Sequence, residues 1–364
     1  MRLAFLDVLR LISIGFVMFG HFVSVGGGAN SIPGIIGLKT QLPLLNNANW
    51  ELWKFEIFLI EKFSTQSAIL GVTLFFLVTG YLIPMMLERY SRSIFLVNRI
   101  FRIFPVLFVA VIILGSFVKV TQNILFDFSS YWASWSLSYL VFGIVPVTGV
   151  LWTLLVEVLF YSFAAIIGKF TVYKLMFFQV SLLAVILACT KFSEITQLLF
   201  AATQAKYLLM ISIGTAIYLA EKEQSLINKV ILVSVAIFFS YLGFQLFKQG
   251  HEDVSTYCNL GTHLLATILF LSLFGLSKLN LFNKLPSWVI TIADLVYPIY
   301  LIHATIGLGT MALVRDINNN PYVLLLSAIF ASLSMAWMLH RYVEKPGILL
   351  GKRICRTIEN KAVN

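Results

Sequence analysis

Apolar residues run along this chain in blocks of about twenty, separated by short clusters of glycine, proline and charge. Twenty residues of α-helix rise about 30 Å, the thickness of a bilayer's hydrocarbon core. The blocks near 4–24, 69–87, 100–118, 150–168, 172–190, 206–221, 228–247, 259–277, 288–314 and 322–342 therefore predict ten spanning helices. The second and sixth are short, and 131–148 reads as a further re-entrant piece. The loop 25–68 opens on Gly26-Gly27-Gly28 and contains Pro33 and Pro43. It then turns aromatic and charged over 50–63, the pattern of an interfacial amphipathic helix. Such a helix either rests on lipid or covers an outward-facing site. The expected fold is an all-α integral membrane protein, a bundle of about ten transmembrane helices. The membrane domain covers 1–344, and 345–364 is a basic cytoplasmic tail.

Composition strengthens this picture. Of 364 residues, 59% are hydrophobic and 12% charged, about half the charge of a soluble domain. Mean hydropathy is +0.91. The net charge is +10, but lysine and arginine gather in alternate loops: Arg89, Arg92, Arg99 and Arg102; Lys169 and Lys174; Lys222 and Lys229; Lys278 and Lys284; and the tail from Arg341. The positive-inside rule then puts both termini in the cytoplasm of a multi-pass cell-membrane protein. The basic charge is an inner-leaflet feature and speaks against nucleic-acid binding. Cys189, Cys258 and Cys355 have no metal-ligand or redox spacing and read as packing residues. No metal is expected.

Several spans keep ionisable groups, each costing about 2.5–3.5 kcal/mol to insert. The first carries Asp7, Arg10 and His21. A signal peptide would have a short uncharged apolar block instead. With α-helical periodicity Arg10 and His21 share a side, about three turns apart, and Asp7 lies one turn before Arg10. The second span carries Thr79 and Gly80, suited to close helix packing, and Pro84 predicts a break near its end. Arg92, Arg99 and Arg102 share a face, suited either to lipid headgroups or to a phosphate-bearing ligand. Thr153, Glu157 and Tyr161, spaced by four, form a polar stripe, with a partner or a watery cavity expected for Glu157. Asp294, Tyr297, Tyr300 and His303 recur every three residues, and Pro298 predicts a kink among them. Lys191, Glu194, Lys206, Glu221 and Glu223 read as solvated helix ends, and His251 and His263 as incidental.

Two functional classes use such groups. One is an enzyme with a buried polar centre. The other is a proton-coupled transporter relaying protons through Asp7, Arg10, His21, Glu157, Asp294 and His303. No inverted repeat or pair of matching broken helices favours the transporter.

The ordered set Arg10 and His21, Gly71…Phe75-Phe76…Thr79-Gly80-Tyr81, Arg99-x-x-Arg102, Trp152…Glu157…Phe160-Tyr161, Tyr297…Tyr300-Leu-Ile-His303 and Glu344-Lys-Pro346 resembles the acyltransferase-3 family of bacterial membrane acyltransferases. The resemblance spans essentially the whole chain. Thr79 stands where serine is usual, Tyr81 where phenylalanine is common, and Pro298 where a small or polar residue is usual. The resemblance implies transfer of an acyl group, usually acetyl, from acyl-coenzyme A to a hydroxyl of a surface carbohydrate or lipid-linked carbohydrate at the inner membrane. It implies acetyl-CoA as co-substrate. His21 would be the base, or the carrier of an acetyl-histidine intermediate. Arg10 would hold the donor or stabilise developing charge, and Arg99 and Arg102 would grip coenzyme A phosphates. Glu157 joins the catalytic candidates. Asp7, Phe75, Phe76, Thr79, Trp152, Tyr161, Tyr300 and His303 would line the cavity. Trp50, Trp53, Trp132 and Trp135 are placed either as interface anchors or as surfaces for a sugar to stack on. The resemblance says nothing of oligomeric state.

Overall fold

A computed structural model describes residues 3–25, 51–192, 194–248, 258–279, 281–282 and 284–363. His251 and Trp50 lie outside the described residues. The described residues contain helices and no strand. In chain order the α-helices are α1 (Ala4–Phe19), α2 (Glu51–Phe63), α3 (Ser67–Arg89), α4 (Arg92–Gln122), α5 (Phe128–Trp135), α6 (Tyr139–Phe142), α7 (Leu151–Ile167) and α8 (Val172–Thr190). There follow α9 (Thr196–Lys222), α10 (Leu226–Lys248), α11 (Leu260–Lys278), α12 (Ser287–Ile302), α13 (Leu308–Arg315), α14 (Pro321–Leu339) and α15 (Lys345–Val363). Among the described residues nine helical stretches are long and apolar enough to cross a membrane, and α7 is a shorter apolar helix of 17 residues. These ten match the ten apolar blocks. The stretch 131–148 takes in the end of the short helix α5 and all of α6.

Among the described residues three wide π-helical turns interrupt the α pattern: Gly20–Val25, His303–Gly307 and His340–Glu344. Each contains a histidine. Such turns hold one more residue per hydrogen-bonded ring than an α turn and gather at functional sites. The α-helix that carries Arg10 ends at Phe19, and His21 follows in the first of these turns.

The chain divides into two compact units. The first comprises Met1–Ser13, Phe58–Phe95 and Val156–Pro286. Its centre is α9, buried along Tyr207–Ala220 and packed against α3, α8 and α10. A Cβ added at Gly80 would run into the Ile211 carbonyl, and one added at Gly214 into the Leu77 carbonyl. The two backbones touch because both glycines lack that atom. The expected break at Pro84 does not occur, since α3 continues to Arg89. Proline removes the donor that Gly80's carbonyl would receive four residues earlier. The Thr215 hydroxyl of α9 supplies it instead, at 3.0 Å.

Lys206 corrects a second expectation. It is fully buried, with its ammonium 3.5 Å from the centre of the Phe247 ring and near Tyr207 and Phe244. Aromatic faces stabilise a desolvated cation. Glu221 is likewise engaged at its helix end, taking hydrogen bonds from Tyr81 at 2.5 Å and Lys278 at 2.6 Å, while Lys222 pairs with Glu88.

The second unit comprises Ile14–Ile57, Leu96–Leu155 and Ser287–Asn364. There α14 packs against α12 and α13. The helix passes through Pro298 and widens five residues after it, at His303. From Pro321 to Asn360 the chain forms one continuous helical stretch of 40 residues, so the tail is helical. Its buried edge includes Gly347, Gly351 and Cys355, while Lys352, Arg353 and Arg356 are exposed. Gly347 allows close approach to the Phe101 carbonyl, where a Cβ would lie at 2.9 Å, and Gly351 to the Phe101 side chain. That carbonyl is the one Pro105 deprives of a donor.

Candidate active site

In the second unit the structure brings together three of the predicted residues. His21 lies in the first π turn and is half buried, and His303 opens the second and is fully buried. The His303 Nε2 is 3.1 Å from the His21 Nδ1, with ring centres 4.9 Å apart and planes inclined by 66°. The Nδ1 of His303 is 2.8 Å from the Tyr300 carbonyl and 3.2 Å from that of Ile299. The Nδ1 of His21 is 2.9 Å from the Val17 carbonyl.

These distances determine the protons. A carbonyl oxygen only accepts, so each Nδ1 carries hydrogen. A neutral His303 then has its lone pair on Nε2, facing the His21 Nδ1–H. The His21 Nε2 keeps its own lone pair and has no hydrogen-bond partner among the described residues. A neutral imidazole with an open Nε2 is the form needed to accept a proton.

The surroundings hold this pair in place. Phe22 packs edge-on to His303 and belongs to a buried cluster with Val23, Val150, Ala304, Leu308 and Met311. Gly307 makes room for the Phe22 ring, into which a Cβ there would run. Leu52 and Trp53 of α2 pack on this cluster, and Phe55 sits edge-on to Phe19. Trp53 is thus a packing residue here. Trp135 also packs, stacking on Phe108 with centres 4.4 Å apart. Hydroxyl pairs fasten the start of α7 and the segment before it: Thr305 donates to Thr148 at 3.2 Å, and Thr153 meets the Tyr300 phenol at 2.5 Å. Because Thr153 donates to the Val150 carbonyl at 3.1 Å, the phenol is the donor of the pair. Tyr297 donates to the Ile103 carbonyl at 2.8 Å. The three-residue recurrence of Tyr297, Tyr300 and His303 therefore gives each a polar partner.

Tyr139 was not among the sequence candidates. It is buried in α6, and its hydroxyl has no partner among the described residues. Burial pushes its phenol well above the ordinary range, and the Tyr300 phenol pushes the same way. No periodic signal distinguishes it, because a helix of four residues is too short to show a period.

Arg102, also in this unit, makes no hydrogen bond or ion pair among the described residues. The buried Glu344 lies within electrostatic reach of Arg102, His340 and Asp294. His340 Nδ1 is 2.7 Å from the Glu344 carboxylate. Arg99 is half buried on the same helix.

The first unit gathers a different group of predicted residues. Glu157 accepts hydrogen bonds from Thr79 at 2.6 Å and from Tyr161 at 2.8 Å, one at each oxygen. Asp7 is buried and accepts from Arg10 at 3.2 Å. Phe76 packs against Tyr207. Phe75 in this unit and Trp152 in the second each make an interaction within the fold. A cavity of about 320 Å³ opens beside Val172, Met176, Ile231 and Val235, but none of the predicted site residues lines it. No group of three or more histidine, cysteine or acidic side chains suited to a metal ion occurs among the described residues.

Comparison with known proteins gives one match. The model of the acyltransferase-3 family, an acyltransferase domain, matches residues 3–341. No curated protein matches, and no solved structure does.

Proposed function

From the premise that the chain belongs to this acyltransferase family and is a multi-pass membrane acyltransferase, we propose that it moves an acetyl group from acetyl-CoA to a hydroxyl of a cell-surface or lipid-linked carbohydrate. His21 is the base. The observation that carries this reading is the open Nε2 of a His21 ring whose Nδ1 is tied to the Val17 carbonyl. Its lone pair takes the acceptor's hydroxyl proton as that oxygen attacks the thioester carbonyl. The new carbon–oxygen bond forms, the carbon–sulfur bond breaks, and the proton passes to the departing thiolate.

Arg102 and Arg99 suit the donor's phosphates. A guanidinium fork binds phosphate in bidentate fashion, and Arg102 has its fork uncommitted. Glu157, held by two hydroxyls, and Arg10, paired with Asp7, are supports for the transfer rather than proton carriers. With both termini cytoplasmic in the inner membrane, the arginines face the acetyl-CoA pool.

The test is incorporation of labelled acetyl groups into envelope carbohydrate by cells making the wild type or His21→Ala at equal membrane levels. The reading requires label with the wild type and background with the variant. Equal label in both would remove His21 from the chemistry.

A further inference from the structure

We propose that His303 is a positioning residue for the transfer, holding His21 through its Nε2 lone pair and sharing the positive charge that His21 acquires. This rests on the proposed role of His21 and extends it.

The argument begins with protons. The carbonyls of Ile299 and Tyr300 oblige His303 to keep hydrogen on Nδ1. The Val17 carbonyl obliges His21 to do the same. The nitrogens that face each other at 3.1 Å are thus an acceptor on His303 and a donor on His21. Protonating His303 at Nε2 would set two N–H groups against each other. The arrangement is consistent only with a neutral His303.

Consider next what happens when His21 takes the proton at its open Nε2. The ring becomes an imidazolium, and its Nδ1–H becomes a charge-assisted donor, roughly twice as strong as a neutral one. Two acceptors already face it, the Val17 carbonyl and the His303 lone pair. The ring therefore gains stabilisation as it becomes charged, and nothing has to reorganise. In hydrolase triads an aspartate does this work. A buried carboxylate within a membrane carries a heavy desolvation cost, and a neutral imidazole avoids it.

The fold is built to preserve the spacing. Both histidines lie in π turns. The absence of a Cβ at Gly307 lets Phe22, the residue after His21, seat against the turn that begins with His303. Tyr300, whose carbonyl fixes the His303 proton, is itself anchored through its phenol to Thr153.

Two substitutions separate the two nitrogens of His303. In His303→Asn the amide sits near the position of Nδ1, so the bond to the helix carbonyl remains and the reach to His21 is lost. In His303→Gln the amide sits near the position of Nε2 and can accept from His21. Acetyl transfer would be measured in membranes at saturating and limiting acetyl-CoA, beside His21→Ala. The expected result for His303→Asn is a fall in kcat of about ten- to a hundredfold, with KM for acetyl-CoA within about twofold. For His303→Gln, kcat should return to within about fivefold of wild type. Equal loss in the two variants, loss expressed in KM, or wild-type kcat with asparagine would each overturn the positioning role. The arms also separate the two claims. If His21→Ala is inactive while His303→Asn is not, only the positioning role fails. If His21→Ala is fully active, the reading of the site fails as well.

Discussion

Two buried histidines, one in each unit, begin alike and end differently. His263 and His303 are both fully buried, and both direct Nδ1 at a carbonyl of their own chain, that of Asn259 at 2.8 Å and that of Tyr300 at 2.8 Å. The Nε2 of His263 then meets the Ser240 hydroxyl at 2.9 Å, and Ser240 is itself fully buried. That hydrogen-bond chain is closed: every proton has a fixed owner. The Nε2 of His303 meets a second imidazole instead, and the chain continues through it to an open lone pair. A histidine within a membrane helix is therefore not a site in itself. What distinguishes the proposed centre is a hydrogen-bond chain with one end unfilled among the described residues.

The sharpest way to break this comparison is to remove the imidazole at the end of each chain, His21 from the open one and His263 from the closed one. His21→Ala should lower acetyl transfer by at least about a hundredfold with little effect on thermal stability in detergent. His263→Ala should do the reverse. It leaves a cavity and an orphaned Ser240 hydroxyl, costing about 2–4 kcal/mol, while kcat of the folded fraction stays within about twofold. If His263→Ala abolished turnover in folded protein, the closed chain would have a role in the chemistry.

Glycines sharpen it next. At Gly80 a methyl group would meet a backbone carbonyl, which cannot yield, and Gly80→Ala should cost several kcal/mol and much of the membrane-inserted protein. At Gly307 the obstacle is the Phe22 ring, which can turn. Gly307→Ala should therefore lose about 1–2 kcal/mol but about tenfold in kcat, because Phe22 carries its neighbour His21 with it. Melting curves and turnover on the same preparations check both.

Arg102→Ala should raise KM for acetyl-CoA about tenfold and leave kcat nearly unchanged, as expected for loss of a phosphate contact. The smallest effect belongs to Tyr139→Phe. Deleting a buried hydroxyl that has no partner should leave stability unchanged or raise it by up to about 1 kcal/mol. A marked destabilisation would mean that the hydroxyl has a partner, such as a bound water.

Much of this fold is legible in the sequence because span length follows from bilayer thickness. The blocks 172–190 and 259–277 differ from α8 and α11 by no more than a residue at either end. The site is legible only in part. Hydropathy and the spacing of motifs single out His21, Tyr300 and His303. They cannot reveal the π turns, since a widened turn leaves the composition unchanged and merely shifts the phase after it. Lys206 misleads because its cage is made by Phe244 and Phe247, about forty residues further on. Pro84 misleads for the same physical reason. A local rule predicts an unsatisfied carbonyl, and a hydroxyl on a distant helix satisfies it.

That borrowed hydrogen bond also has a bearing on biogenesis. The Gly80 carbonyl and the Thr215 hydroxyl are 135 residues apart in the chain. At a synthesis rate of about 5–20 residues per second, α9 leaves the ribosome roughly 7–27 s after α3. Throughout that interval α3 must stay inserted with one carbonyl unfilled and its glycine-lined face uncovered. Of the helices that pack on it, α1, through Phe5 against Tyr81, is made before it, and the first unit acquires its centre only when α9 arrives.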